Sequence, residues 1–364
     1  MKKQKKIGII TFHKAINYGG VLQCYALQRK LSEMNYDVEI INYNSNDVYK
    51  IYRLFYIGKF NFLKTPVKFL LNLYFYKTNK KKKEYFDKFL NKNIKMSEEI
   101  NSKEELKKLS GKYDAVISGS DQVWNKSLTL NDYNVYDLSS IEHDFKISYA
   151  ASLGNDLVSK EESHYYNELI KSYKHVSVRE NSLKHLLNGN VATVLDPVFL
   201  LTKNDWESFI KDVPSKKEKY IFAFSLQKND KLDNIIKQLS KNEKVYYYSK
   251  IPKFRKNIEE KYLMSPIEFI KMISEASLVV TNSFHCLALA IIFNKPFISV
   301  LHKDKSSRQV DLLKMLKLDN RIYNDNLNEI IDSNIDYDNV NDILRVELGK
   351  SISFLENALK DLDR

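Results

Sequence analysis

Short runs rich in β-branched and aromatic residues alternate with segments of helical periodicity along nearly all of this 364-residue chain. That alternation demands a parallel sheet whose strands are joined by crossover helices. The first unit is clear. Ile7 to Phe12 reads as a buried strand, His13 to Gly20 as a turn, Val21 to Met34 as a helix with an apolar face, and Val38 to Tyr43 as the next strand. Further strands are predicted at 113–118, 146–151, 176–178 and 192–195, and a second series at 220–226, 245–248, 278–281 and 297–301. Helices are expected at 265–276 and 283–294. A chain this long exceeds what one core usually covers. The reading is therefore an α/β protein of two Rossmann-like domains facing a cleft, divided at the polar stretch 202–219, which contains Pro214. The domains are predicted at 1–202 and 203–340, with a C-terminal helix at 341–364 that crosses back to the first domain.

Composition matters here mainly through its unevenness. The net charge is +12, and residues 50–83 alone hold ten Lys or Arg and no acidic residue. This basic stretch is interleaved with aromatics such as Phe55, Phe62 and Tyr74 and lies in an insertion at about 50–95. Such a pattern suits an anionic membrane surface; an ordinary insertion with a Lys-rich bias and aromatics packed inward explains it equally well. No nucleic-acid motif accompanies the charge. No apolar run approaches the length of a spanning helix, and the charged start MKKQKKIGII lacks a small-residue cleavage site. The expectation is a cytoplasmic protein, with peripheral contact at the inner face of the membrane through residues 50–83. Cys24 and Cys286 lie far apart without CxxC spacing, which points to a reducing compartment and no metal site.

In facing α/β domains a ligand sits at the carboxyl ends of the strands. Those positions therefore carry the functional reading. After the first strand come His13, Asn17, Gly19 and Gly20. Paired glycines serve either close backbone approach to a ligand or tight helix-to-strand packing; His13 and Asn17 beside them favour a site. Ser118-Gly119-Ser120-Asp121-Gln122-Val123-Trp124 follows another strand. Its hydroxyls, carboxylate and indole suit a sugar, whereas Ser120 or Asp121 as a helix cap and Trp124 in the core is the structural alternative. Arg179, next to Glu180, presents a fork for a carboxylate or phosphate, or pairs with its neighbour. Asp196, before Pro197, is expected chiefly as a cap. In the second half, Asn282 and Ser283 open a helix whose N-terminus attracts an anion. His285 in its first turn is placed to move a proton, although a lone histidine among apolar residues is more often part of the core. Lys305 and Arg308 follow the next strand.

Five motifs in order, NYGGVLQCYALQ, SGSDQVWN, SVRE, LDPVFLL and TNSFHCLALAIIFNKPF, together resemble the polysaccharide pyruvyl transferase family. The resemblance runs from about Ile7 to beyond Phe297. It implies a GT-B-like fold and transfer of pyruvyl from phosphoenolpyruvate to hydroxyls of a cell-surface glycan or its precursor, such as an exopolysaccharide, giving a ketal. It implies His285 as the essential histidine and Arg179 as a donor-binding residue. Family members often carry Arg-Leu just before that histidine; here Ser283-Phe284 stand there. The missing cation is expected at Lys305 or Arg308. Donor contacts are thus assigned to Arg179, Asn282, Ser283, Lys305 and Arg308. Acceptor contacts are assigned to His13, Asn17, Gly19, Gly20, Ser118, Asp121 and Trp124. No cofactor is expected beyond phosphoenolpyruvate as donor substrate, and the partner is a glycan or lipid-linked saccharide. Two other readings compete: a glycosyltransferase of the same fold using a nucleotide-sugar, and a non-catalytic protein binding polyanions or a membrane surface.

Overall fold

A computed structural model describes residues 4–50, 73, 75–154, 159–248, 257–261, 263–302 and 306–363. Two parallel sheets organise them. The first holds β1 (Lys6–Ile10), β2 (Asp37–Ile40), β3 (Ala115–Asp121), β4 (Lys146–Ala151), β5 (His175–Val178) and β6 (Val191–Thr193) in the order β2-β1-β3-β4-β5-β6. The second holds β7 (Ile221–Phe224), β8 (Val245–Tyr248), β9 (Ile258–Glu260), β10 (Leu278–Thr281) and β11 (Phe297–Ser299) in the order β11-β10-β7-β8-β9. Most strand residues are buried on both faces. That explains why their sequences are continuous apolar runs instead of alternating ones.

Each sheet order contains one point where the chain reverses its direction of growth. In the first sheet this lies between β1 and β3, paired with Ile10 opposite Ser118. In the second it lies between β7 and β10, paired with Thr281 opposite Phe224. Such switch points open a crevice at the carboxyl ends of the strands, because the flanking connections leave in opposite directions.

The helices that matter for the site are α1 (Tyr18–Glu33), α2 (Tyr76–Asn93), α3 (Pro266–Glu275), α4 (Phe284–Ile292), α5 (Ser307–Met315) and α6 (Tyr337–Lys360). Asn17 caps α1, its Oδ1 accepting from the Gly19 N–H at 3.1 Å. Ser265 and Glu268 form a reciprocal capping box on α3, with Pro266 in its first turn. All nine residues of α4 are buried, as expected of a helix that is apolar all round. It belongs to a core running through both domains.

Several expectations shift in detail. The strand foreseen at 113–118 runs to Asp121, so Ser118 and Ser120 lie within β3 instead of after it. The polar stretch 202–219 contains a helix, Lys203–Ile210, held by a Thr202–Asp205 capping box. Its Trp206 is fully buried, with Nε1 donating to the Val198 carbonyl at 3.2 Å. The last helix starts at Tyr337 and does cross back: Ser351 Oγ accepts from Leu195 N–H at 2.9 Å and Phe354 packs on Tyr149. Of the basic segment, residues 51–72 and 74 lie outside the described residues. Lys77 and Lys80 to Lys83 are on α2, where Lys82 turns inward to donate to the Tyr248 hydroxyl. Among the described residues no helix is long and apolar enough to cross a membrane.

Candidate active site

The two switch points face each other, and a cleft of about 140 Å³ lies between them. The first domain contributes Phe12, Ala15 and Asn17 after β1, and Asp121 and Gln122 at the end of β3. The second contributes Leu226 after β7 and Ser283, Phe284 and His285 after β10, with Arg308 from the first turn of α5.

His285 occupies the first turn of α4 and is only 6% exposed. Its Nε2 lies 3.3 Å from Asp196 Oδ2, and Arg179 Nη2 reaches the same oxygen at 2.6 Å. Neither contact is an aligned hydrogen bond. The strand ends make this meeting: Arg179 directly follows β5 and Asp196 follows β6, while His285 comes from the opposite domain. Burial alone would raise the Asp196 carboxyl, but Arg179 and His285 outweigh it and hold the group down at about 2. Asp196 is therefore an anion at neutral pH. Its Oδ1 also caps the turn at Pro197 by accepting from Val198 N–H at 3.0 Å. The cap reading was right for one oxygen, and the other serves the site. An Asp-Pro immediately after a strand end, beside the strand that carries Arg179, was the signal in the sequence.

Arg179 donates through Nη2 to Ser120 Oγ at 2.8 Å. Its Nε and Nη1 are buried without a hydrogen-bond partner. Two unpaired guanidinium donors in a closed site are costly unless an anion completes them. Glu180, weighed as the partner of Arg179, instead accepts from Ser152 Oγ. Burial pushes its carboxyl up despite Arg179 and Arg308 nearby.

Arg308 supplies the second cation. Its Nη1 stands 3.6 Å from Asp121 Oδ1, and with the Gln122 amide oxygen turned toward it, Nη2 donates to that oxygen at 2.7 Å. The Phe284 ring centroid is 5.0 Å from the Arg179 guanidinium carbon and 5.9 Å from that of Arg308. An aromatic face is attractive to both cations. Phe284 thus seats two arginines brought from elsewhere in the chain. Ser283 makes no side-chain cap bond, leaving its hydroxyl on the cleft at the positive end of α4.

Gly19 settles the question of the paired glycines. A Cβ there would fall 2.0 Å from His285 Nδ1. Only a residue without a side chain lets this histidine close onto α1. At Gly20 a Cβ would sit 3.3 Å from the Phe12 carbonyl, so that glycine serves tight packing.

Other expected contacts lie elsewhere. His13 is fully buried inside the first domain, Nδ1 3.2 Å from the Thr11 carbonyl and Nε2 3.1 Å from Asn42 Oδ1. Ser118 donates to the Tyr136 carbonyl at 2.7 Å and accepts from Trp124 Nε1 at 3.2 Å. Trp124 is 1% exposed and stacks on Tyr166. These three are core residues, because β3 extends past Ser118 and the chain then turns Trp124 inward. Asn282 braces the end of β7, its Oδ1 accepting from Leu226 N–H at 3.0 Å and its amide donating to the Gln227 carbonyl. Lys305 lies outside the described residues. Gln122 and Phe284 were not foreseen as part of the site.

The sequence matches the family described as "Polysaccharide pyruvyl transferase" over residues 17–304. The chain belongs to this family. Membership makes it a transferase of polysaccharide biosynthesis and implies a glycan acceptor. No match was found among curated proteins. Among solved structures, the family member is similar to UDP-GlcNAc 2-epimerase from Neisseria meningitidis bound to UDP-GlcNAc (TM-score 0.54, 10% identity, 98% of this chain and 100% of that one). It is similar also to the S. aureus MnaA-UDP co-structure (TM-score 0.53, 12% identity, 91% and 89%). A third is a putative UDP-N-acetylglucosamine 2-epimerase from Listeria monocytogenes (TM-score 0.50, 10% identity, 100% and 90%). At these identities the likeness concerns the fold, the two-domain Rossmann-like arrangement of GT-B proteins.

Proposed function

We propose that this pyruvyl transferase uses phosphoenolpyruvate as donor and forms a ketal on a cell-surface glycan or its precursor, without a further cofactor. One observation carries the reading. Arg179, with two buried N–H groups lacking a protein partner, shares the carboxylate of Asp196 with His285 across the cleft. A small donor with two anionic groups fits this arrangement, with Arg179, Arg308 and the N-terminus of α4 as its counter-charges. His285, whose Nε2 stands beside Asp196 without an aligned hydrogen bond, delivers a proton from that nitrogen to the methylene carbon of the donor. The central carbon becomes electrophilic, a sugar hydroxyl adds to it, phosphate leaves, and a second hydroxyl closes the ketal. Asn17, Asp121 and Gln122, on the first domain, face the acceptor. A nucleotide-sugar donor would need a base-binding contact in the second domain, and the described residues lining the cleft there, Leu226, Ser283, Phe284, His285 and Arg308, are placed for a small anion instead.

The test is His285→Ala with phosphoenolpyruvate and glycan. A positioned general acid typically contributes ~10²- to 10⁴-fold, so phosphate release and ketal formation should fall by at least that much while the far-ultraviolet spectrum stays unchanged. Near-normal turnover would remove His285 from the chemistry. Nucleotide release from a nucleotide-sugar with none from phosphoenolpyruvate would overturn the donor assignment.

A further inference from the structure

The reaction just proposed moves two protons, and His285 need not carry both. Two hydroxyl protons leave the acceptor; one ends on the new methyl group and the other on the departing phosphate. His285 supplies the first and is recharged at the end, which leaves the second to a base on the acceptor side of the cleft.

We propose that Asp121 is this base, a role that rests on the phosphoenolpyruvate reading above. Among the described carboxylates near the cleft, Asp311 and Glu347 line the adjoining pocket behind Arg179 and not the cleft itself. Asp196 is 1% exposed and committed to Arg179, His285 and the Val198 N–H. Glu180 is 3% exposed and bonded to Ser152, and burial favours its protonated form. Asp121 is the one carboxylate among the described residues lining the cleft.

Its placement is built, not incidental. Asp121 ends β3 at the switch point with a φ of +69°, left-handed backbone that few residues other than Gly, Asn and Asp adopt. The conformation is pinned because the Asp121 carbonyl accepts both Val123 N–H at 2.8 Å and Ser152 N–H at 3.1 Å. Backbone strain held at a strand end beside a cleft is a recurrent mark of functional positions. The carboxylate stands near Arg308 of the facing domain, yet at 3.6 Å the contact is longer than a hydrogen bond. Its oxygens keep lone pairs for a hydroxyl, and a donor phosphate drawing on Arg308 frees them further.

The steps then balance. His285 gives its proton to the methylene carbon. The first hydroxyl oxygen bonds to the central carbon as its proton passes to Asp121. The carbon-to-phosphate oxygen bond breaks with its electron pair on the phosphate, which takes the proton from Asp121. The second hydroxyl adds to the carbon and its proton restores His285.

Two variants test this without disturbing the backbone, since Asn and Gly both adopt left-handed φ readily. The assay follows phosphate release from phosphoenolpyruvate with a panel of p-nitrophenyl hexosides bearing free diols. Asp121→Asn should lower kcat by ~10²- to 10⁴-fold with both KM values nearly unchanged. Asp121→Gly should be equally slow and regain turnover with added formate but not with chloride. Retention of kcat within about tenfold of wild type, or a loss confined to KM, would overturn the role. Wild-type turnover alongside an unimpaired Asp121→Asn variant removes the base alone. Absence of wild-type phosphate release counts against the donor reading itself, and this role falls with it.

Discussion

At the scale of single residues, the site depends on what His285 touches on each side. Asp196 faces Nε2, and the Cα of Gly19 faces the Nδ1 edge. The imidazole is thus held between an anion of its own cleft and the first turn of the opposing domain's helix. Gly19→Ala is a clean probe of this contact. An added methyl would overlap the ring at 2.0 Å from Nδ1, so either the imidazole leaves Asp196 or the domains part. Displacing a reacting group by about 1 Å can cost ~10²-fold in rate, and a loss of that size in kcat is expected. Stability should fall as well, because the overlap with a buried ring costs more than the ~1 kcal/mol by which Ala is a better helix former than Gly. A thermal melt and a rate measured on the same preparation would check both. Full activity with a lowered melting temperature would mean that Gly19 matters for packing only.

At the scale of elements, the first βα turn separates what the sequence makes legible from what it does not. The strand, the helix and the glycine approach are readable because hydrophobic period and glycine content are local properties. The direction of His13 is not. It depends on Asn42, supplied by the segment after β2, and on the Thr11 carbonyl. The same holds in β3, where three further strand residues take Ser118 into the core, and at Asp196, whose two oxygens serve two purposes. Strand ends were therefore legible as places, with Arg179 and His285 among them, while partnership across the cleft was not. The inward His13 carries a measurable consequence. Burial outweighs its hydrogen bonds and lowers it from 6.5 to about 4. Between those values the unfolded chain binds more protons than the folded one, so stability falls as pH drops from 6.5 to about 4 and levels off below. The full effect amounts to about 3 kcal/mol. His13→Gln, which keeps a polar group but does not titrate, should flatten that slope in urea titrations at neutral pH and near pH 4. An unchanged slope would mean that another group causes it.

At the scale of the whole molecule, two separate parallel sheets do not imply two independent folding units. One hydrophobic core contains Ile7 and Leu22 of the first domain, Phe222 and Phe269 of the second, and Leu289 of α4 between them. Helix α6 spans both. Near its start the Tyr337 hydroxyl donates to the Lys295 carbonyl of the second domain, and further on Ser351 and Phe354 engage Leu195 and Tyr149 of the first. Tyr18 at the head of α1 makes the same crossing from the other side, donating to the Met264 carbonyl at 3.0 Å and stacking on Phe269. Unfolding either half therefore exposes apolar surface of the other, a coupling that favours a single cooperative transition. Leu355→Ala tests it, because Leu355 is fully buried on α6 within this shared core. Truncating a buried leucine costs about 2–5 kcal/mol. Calorimetry should show the whole endotherm moving down as one peak. If the domains were independent, only part of the heat would move and two peaks would separate.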